Sequence, residues 1–368
     1  MSVVTEYARP REFIALAAFL MATIALAIDM MLPAMGQMAI DLELAEPAKI
    51  SWVILGIFSG LIFGQLVFGP LSDAIGRRGS IQIGIVIFLI GTGVCALTES
   101  FETLIAGRVL QGFGGAATRI VTQAMVRDRF AGREMARVMS FVMTIFILVP
   151  IFAPMIGQVV LWFGDWQMLF VTLGGFSAII LGWFSLRQPE TLTHRRTITV
   201  SHLSEAFQMV LTNERSLRFT LAAGISFGGL VSYLSGAQHI FQDIYQTGEW
   251  FPVLFGSTAA SIAISSLVNA NYVRRFGMET ICRIAFGVQI LWSAFFLALY
   301  ANGDPISLIV ACLHRARFIF DGTDIRKLAI SCTRTDGGDR RNCIDSDWII
   351  DDRRQFVGWH RVLPIHGQ

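Results

Sequence analysis

Three charged residues stand well inside long apolar runs, where a charge is costly and usually functional. Asp29 lies inside the first run, and Arg108 and Arg119 lie inside the fourth. Charged side chains in such runs normally face a protein interior or water and have a partner. A buried carboxylate can take up and release a proton, and Arg108 is the natural counter-charge for Asp29. Alternatively, Asp29 is wetted at a helix end and Arg108 reaches a surface by snorkelling.

A polar stripe follows Arg108 along the fourth run. At 100° per residue, position 119 returns to nearly the same helix face as position 108. The residues near this stripe are Gln111, Gly115, Thr118 and Thr122. Such a stripe is more often a cavity wall than an outer face of the protein. Arg119 either binds an anionic group of a ligand or snorkels, and the spacing favours neither.

A turn with three charged residues separates the second and third runs. It reads Gly-Pro-Leu-Ser-Asp73-Ala-Ile-Gly76-Arg77-Arg78. Glycine allows a tight turn between two helices, and a carboxylate here can cap a helix or pair with a nearby arginine. The alternative is an ordinary charged turn. The fifth run holds Pro150, Pro154 and Gly157, and proline inside a helix removes a hydrogen bond and bends the helix.

The elements that carry these residues are predicted to be membrane-spanning helices. Of 368 residues, 54% are hydrophobic and 15% are charged, against about 25% charged residues in soluble domains. A span needs about 20 apolar residues. Nine runs qualify: 13–35, 50–70, 81–98, 103–125, 138–162, 167–186, 217–238, 251–272 and 281–301. The net charge of +2 suggests no nucleic-acid partner. The five cysteines lack the spacing of metal ligands. No cleavable signal peptide is expected.

Arginine alternates from loop to loop and predicts the orientation. Every second loop holds two to five arginines, whereas the loops between them hold a single basic residue, Lys49. The excess marks the cytoplasmic side, so the N-terminus is predicted to be cytoplasmic. Six spans followed by a basic linker suggest two halves. The predicted units are a six-helix half over 1–186, a cytoplasmic linker over 187–216 and the start of a second half over 217–312.

Two of these segments resemble signatures of the major facilitator superfamily. The turn around Asp73 resembles the loop G-x-L-x-D-x-x-G-R-R/K, and the run from Arg108 resembles R-x-x-Q-G-x-G-A-A of helix 4. The resemblance implies an all-α polytopic fold. It also implies that Asp73, Gly76, Arg77 and Arg78 form a conformational latch. Arg108 and Gln111 of the helix-4 motif would act in proton coupling.

Other segments resemble the bicyclomycin-resistance (Bcr/CflA) drug:proton antiporters of that superfamily. They are the D-M-x-L-P run from Asp29, the segment 124–128 and the segment 189–192. The fifth run resembles the antiporter motif G-P-x-x-G-G but has Ala153 and Gln158 at two glycine positions. The resemblance implies a monomeric bacterial inner-membrane exporter of small molecules, driven by a proton gradient without a metal or other cofactor. Asp29 would then carry the proton and contact substrate.

The sequence changes character after residue 313. Residues 313–368 hold ten basic and eight acidic residues and no apolar run of span length. Back-translated with chosen codons and shifted by one base, residues 339–345 read I-A-G-T-A-S, which resembles a run in the second half of the Bcr/CflA proteins. We therefore expect a frameshift near residue 313, which would leave the second half incomplete and transport weak or lost. A genuine soluble tail is the alternative.

Two other functions remain open from the sequence. One is an importer of a sugar or organic acid, which the imperfect helix-5 motif allows. The other is a non-transporting membrane protein with a soluble tail. Nothing in the sequence resembles a nucleophile–base set, a metal cluster or a phosphate-binding loop, so an enzyme is not expected.

Overall fold

A computed structural model describes residues 10–192, 211–244 and 246–261, together with eight isolated positions between 208 and 295. This part of the chain is helical and contains no β-strand. The helices are α1 Pro10–Asp29, α2 Met35–Asp41, α3 Trp52–Ile75, α4 Arg77–Leu97, α5 Phe101–Arg129, α6 Gly132–Leu161, α7 Gln167–Arg187, α8 Glu214–Gln238 and α9 at 251–261. A short π-helix, His239–Ile244, follows α8.

The first apolar run is divided rather than continuous. Helix α1 ends at Asp29, a 3₁₀ turn covers Leu32–Ala34, and α2 continues the same span to Asp41. Pro33 has no backbone N–H to donate and so cannot extend the α-helical ladder. The break places Asp29 at the carboxyl end of a helix inside the span.

Six described segments are long and apolar enough to cross a membrane: Arg11–Asp41, Ala48–Ile75, Arg77–Leu97, Gly132–Leu161, Gln167–Arg187 and Ser216–Gln242. They match six of the first seven predicted spans, and α5 corresponds to the remaining one. With 29 residues, α5 is about 43 Å long, enough to cross the hydrocarbon core. The predicted eighth span is described to residue 261. The middle of the linker (193–207 and 209–210), most of the ninth span and the tail after 313 lie outside the described residues.

Helix α5 lies at the centre of the first six spans, where it packs against α3 and α4. The backbones approach so closely that a methyl group on Gly112 would overlap the carbonyl oxygen of Ile57, and one on Gly114 would overlap that of Gly84. Because glycine has no side chain, it permits this contact between helices. These glycines therefore let α3 and α4 approach α5 closely, and the contact fixes the depth of Arg108.

Large apolar side chains on the outer faces of the bundle are exposed. Phe63 on α3, Phe152 on α6 and Ile179 on α7 each have more than half of their surface open. Such residues facing lipid need no further burial, whereas in water they would form an unusual apolar patch. The bundle therefore has a lipid-facing exterior, and its largely apolar interior holds a smaller set of buried polar side chains, several of them on α5.

Candidate functional site

Arg108 is fully buried between α1, α3 and α5. Its Nε donates to the carbonyl oxygen of Val53 at 3.2 Å, and its Nη1 donates to the carbonyl oxygen of Ala27 at 3.0 Å. The same Nη1 donates to Gln111 Oε1 one helical turn along α5. Because α1 ends at Asp29, the Ala27 carbonyl has no α-helical donor of its own, and a cation is favourable there. Arg108 therefore satisfies the broken end of α1.

Gln111 extends this network to α4. Its Nε2 donates to Thr92 Oγ1 at 2.8 Å, and the Thr92 hydroxyl donates to the Phe88 carbonyl oxygen at 2.7 Å. Gln111 and Thr92 are buried as well. Four helices thus meet through a chain of polar contacts that starts at the Arg108 guanidinium. We call Arg108, Gln111, Thr92 and Asp29 the Arg108 site.

The predicted pair between Asp29 and Arg108 is not formed in this conformation. Within residues 10–192, no carboxylate lies within 4 Å of the Arg108 guanidinium, and its buried Nη2 has no hydrogen-bond partner in the part of the chain that the structure describes. Asp29 is also buried, with 4% of its surface exposed. Ala27 contacts Arg108, and two residues correspond to about 200° of helical rotation, so Asp29 lies on another face of α1. The interpretation of Asp29 as a wetted helix end is wrong here as well.

Helix α6 packs against the break in α1. A methyl group on Gly157 would overlap the carbonyl oxygen of Met30, the residue that follows Asp29. Helix α6 runs unbroken through Pro150 and Pro154. The segment that resembles the antiporter motif therefore lies directly against Met30, the residue after the one predicted to carry the proton.

The remaining predicted stripe is divided between two environments. Thr118 and Thr122 are almost fully buried inside the bundle, so this part of the stripe is not exposed in this conformation. Arg119 is half-buried, and its guanidinium carbon lies 5.8 Å from the centre of the Phe146 ring on α6. This distance is typical of a cation–π contact. Arg119 thus faces α6 and is not part of the Arg108 site.

The turn between α3 and α4 forms a second charged site. Arg77 Nη1 lies 2.6 Å from Asp73 Oδ1, and Arg77 Nε lies 2.9 Å from Asp128 Oδ2 at the end of α5. Nη1 also donates to Ser72 Oγ at 2.6 Å. Here the guanidinium has two carboxylates and a hydroxyl around it, so its charge is compensated.

Glu190, just after α7, caps the start of α4. Its Oε1 accepts the backbone N–H of Arg77 at 2.9 Å, and its Oε2 accepts that of Arg78 at 3.1 Å. Gly76 has φ +107°, and a side chain there would overlap the Glu190 carboxylate. A carboxylate at a helix N-terminus satisfies unpaired donors and is favoured by the helix dipole.

Sequence reasoning missed Asp128 and Glu190 as site residues, although both lie in segments that carried the resemblance. Arg78 joins the same site through Nη2, which donates to the Ser185 carbonyl oxygen on α7 at 2.6 Å. Together with Ser72, Asp73 and Arg77, these residues form what we call the α3–α4 cluster. The cluster joins α3, α4, α5 and the segment after α7.

A polar cleft lies where the first six spans meet the connection after α8. It has a volume of about 600 Å³ and is lined by Pro33, Gln37, Gln158, Leu161, Gln242, Gln246 and Gly248. Gln158, one of the departures from the antiporter motif, thus faces this cleft. No cluster of His, Cys, Asp and Glu with metal-binding geometry occurs among the described residues.

The chain resembles known transport proteins along most of its length. It is 32% identical over 288 residues to YdgK, an uncharacterized MFS-type transporter of Bacillus subtilis, covering 77% of this chain and 71% of YdgK. It is 29% identical over 291 residues to a bicyclomycin resistance protein homolog of Haemophilus influenzae, covering 77% and 73%. It is 30% identical over 177 residues to the multidrug resistance protein MdtL of Klebsiella pneumoniae, covering 48% and 45%.

A solved structure agrees on the fold. The nucleoside transporter NupG superposes with a TM-score of 0.67 at 14% identity, covering 88% of this chain and 84% of NupG. At that identity the likeness concerns the fold alone. The helices and the bacterial relatives describe a multi-pass inner-membrane protein. Residues 15–320 match the Major Facilitator Superfamily, and the chain belongs to that family of transporters.

Proposed function

We propose that the chain has the machinery of a proton-coupled exporter of drugs or other small molecules. Two similar proteins bear the names bicyclomycin resistance protein homolog and multidrug resistance protein, which supports export of small toxic compounds. The observation that carries the proposal is the buried Arg108 guanidinium without a carboxylate partner, beside the broken end of the helix that carries buried Asp29.

The geometry suggests how a proton could control the Arg108 site. A neutral carboxylic acid tolerates burial, whereas an ionised carboxylate in the same place is costly unless it is paired. Asp29 is buried and makes no ion pair among the described residues. This environment favours the protonated carboxyl group. On losing its proton, Asp29 would gain by pairing with Arg108. Because Arg108 holds the end of α1, this pairing would move the break between α1 and α2.

The polar cleft is the proposed path for substrate. It borders the break at Pro33 and the α6 segment at Gln158, and the second half contributes Gln242 and Gln246. A change at Asp29 would therefore alter one wall of this cleft. We propose that proton release and substrate release are coupled through this shared wall.

The α3–α4 cluster is the proposed conformational latch, on the cytoplasmic side. Arginine-rich loops favour this side, and the cluster contains Arg77 and Arg78. Reporter fusions after residue 76 test the orientation. Alkaline phosphatase activity there, which requires an external location, would overturn it, and β-galactosidase activity is the expected result.

An experiment on Asp29 tests the proposed coupling. Wild-type chain and Asp29→Asn are reconstituted in vesicles with an internal pH dye, and bicyclomycin or ethidium is added under an imposed proton gradient. We expect substrate-dependent proton movement to fall to background in Asp29→Asn and to persist in Asp165→Asn, which alters an exposed acid at the start of α7. Coupled proton movement in Asp29→Asn at the wild-type rate would refute the role of Asp29.

We also propose that the region after residue 313 is shifted out of frame, so that the 368-residue form transports weakly or not at all. The nucleotide sequence across codon 313 decides this point. The other reading frame should encode apolar spans, and a form with the frame restored should confer resistance that the 368-residue form does not. If the other frame encodes no such spans, the frameshift hypothesis fails. Transport measurements on Asp29 then belong in whichever form transports.

A further inference from the structure

A small cavity lies between α1, α5 and α7, well apart from the Arg108 site. About 10 Å³ of it is open to the centre of a water molecule, which is the space that one water needs. Its walls are Phe13, Leu16, Ala17, Leu20, Thr122, Met125, Phe184 and Gln188. Only two of these side chains are polar.

The two polar side chains are buried and lack partners within the described residues. Thr122 is 1% exposed and Gln188 is 2% exposed. Thr122 Oγ1 and both polar atoms of the Gln188 amide make no hydrogen bond to any described residue. They therefore make none to each other, although both line the same cavity. Buried polar atoms in folded proteins are nearly always satisfied, either by protein or by an ordered water.

We propose that one internal water molecule binds in this cavity and bridges the Thr122 hydroxyl to the Gln188 amide. Water both donates and accepts, as does a hydroxyl, and the amide offers a donor at one end and an acceptor at the other. Rotation about the last side-chain bond brings either end of the amide to the water. The other six side chains of the cavity wall are apolar and offer the water no hydrogen bond, so its side-chain partners are Thr122 and Gln188.

The water joins the segment after α7 to α5. The Gln188 backbone N–H closes α7 on the Phe184 carbonyl oxygen at 2.9 Å, and Glu190, two residues on, caps α4. The segment is thus held at one point by the Glu190 carboxylate and at another by the buried Gln188 side chain. A bridging water fixes the second point to the same helix that carries Arg108. The water would therefore stabilise the segment that carries Glu190, and with it the α3–α4 cluster, without being part of the cluster.

Two measurements on the full chain in mixed micelles test the bridge, and neither depends on transport. The first is a structure at a resolution that shows ordered waters. Density within hydrogen-bonding distance of both Thr122 and Gln188 supports the proposal. A direct Thr122–Gln188 hydrogen bond, or a cavity without density, overturns it.

The second measurement is reversible unfolding of Thr122→Val, Gln188→Leu and the double variant. Each single change removes one end of the bridge and leaves the other polar group buried, so we expect Thr122→Val to lower the folding equilibrium constant about five- to tenfold. The double variant removes both polar groups. Its folding equilibrium constant should be at least five times the value predicted by multiplying the two single effects. If the effect of the double variant equals the product of the two single effects to within a factor of two, the bridge is overturned.

A matched control lies one turn away on α5. Thr118 is equally buried, but its hydroxyl already donates to the Gly115 carbonyl oxygen at 2.8 Å. Thr118→Val removes the same atoms and should show no coupling to Gln188→Leu. Equal coupling for Thr118 and Thr122 would mean that the effect is general packing, which contradicts the bridge.

Discussion

Arg108 and Arg77 are both buried arginines of the first six spans, yet they have opposite surroundings. Arg77 contacts Asp73 and Asp128 at 2.6 and 2.9 Å. Arg108 contacts two backbone carbonyls and the amide oxygen of Gln111, and Nη2 has no partner among the described residues. A compensated charge stabilises one arrangement of its neighbours. An uncompensated charge favours a second arrangement in which a carboxylate arrives.

The two sites also differ in how they are linked to the helices. The α3–α4 cluster ties the ends of α3, α4 and α5 to the segment after α7 through side chains. The Arg108 site lies inside the bundle and contacts the end of α1, which is broken at Asp29. A broken helix can move at its break without unfolding, whereas a capped helix end resists movement. We therefore propose that the cluster holds the helix ends together and that the Arg108 site responds to the proton.

Replacement of Arg108 should have the largest functional effect. In a transport-competent form, Arg108→Met is expected to reduce coupled transport to background, because Asp29 loses its proposed partner. The free energy of unfolding should change by less than about 1 kcal/mol, since losing hydrogen bonds to Ala27 and Gln111 is offset by removal of an unpaired buried charge. Vesicle transport and reversible unfolding check the two parts. A loss of several kcal/mol of stability would mean that Arg108 is chiefly structural.

Replacement of Arg77 should lower the free energy of unfolding, which replacement of Arg108 should leave nearly unchanged. Arg77→Met leaves Asp73 and Asp128 facing each other without their cation. Breaking a buried pair costs about 3–5 kcal/mol, and because Asp73 is 43% exposed and Asp128 23% exposed we expect a smaller loss, about 2–3 kcal/mol. Unfolding in mixed micelles measures it. If Arg77→Met and Arg108→Met destabilise the chain equally, the contrast between the two sites disappears.

Contacts close in sequence were predictable, and distant contacts were not. Asp73 and Arg77 stand four residues apart on either side of the turn at Gly76, so the short turn keeps them close, and they do pair. Glu190 reaches the N–H of Arg77 across 113 positions, and no periodicity in one sequence identifies that contact. The resemblance drew attention to both segments but not to the interaction between them.

The Arg108 site shows a second limit of sequence reasoning. That Asp29 and Arg108 are buried could be predicted, because each stands in an apolar run. Whether they touch depends on the rotation of α1 and on the break at Pro33, and a pattern of residue types does not determine either. The first spans were predictable for a simpler reason: length and hydropathy alone define a segment that can cross a membrane.

Gly157→Ala sharpens the comparison by acting on the break beside Asp29. The added methyl group meets the Met30 backbone oxygen, which cannot move without moving the break, so we expect a loss of about 1–2 kcal/mol and reduced transport. Gly182→Ala is the matched control, because no atom lies within 4 Å of its added methyl group. That change should leave stability equal or higher, as alanine favours helix. Equal losses in the two variants would show that the contact with Met30 is unimportant.

Glu190→Gln should have the smallest effect and isolates the cap from the ion pairs of the α3–α4 cluster. The amide keeps an oxygen for one backbone N–H but loses the negative charge at the start of α4 and the acceptor for the other N–H. We expect a loss of about 1 kcal/mol in the free energy of unfolding. Glu214→Gln makes the same chemical change in an exposed pair with Arg218 and should cost only about 0.3 kcal/mol. Because Arg77 keeps Asp73 and Asp128 in Glu190→Gln, a loss as large as that of Arg77→Met would mean that the carboxylate of Glu190, rather than the ion pairs, holds the cluster together.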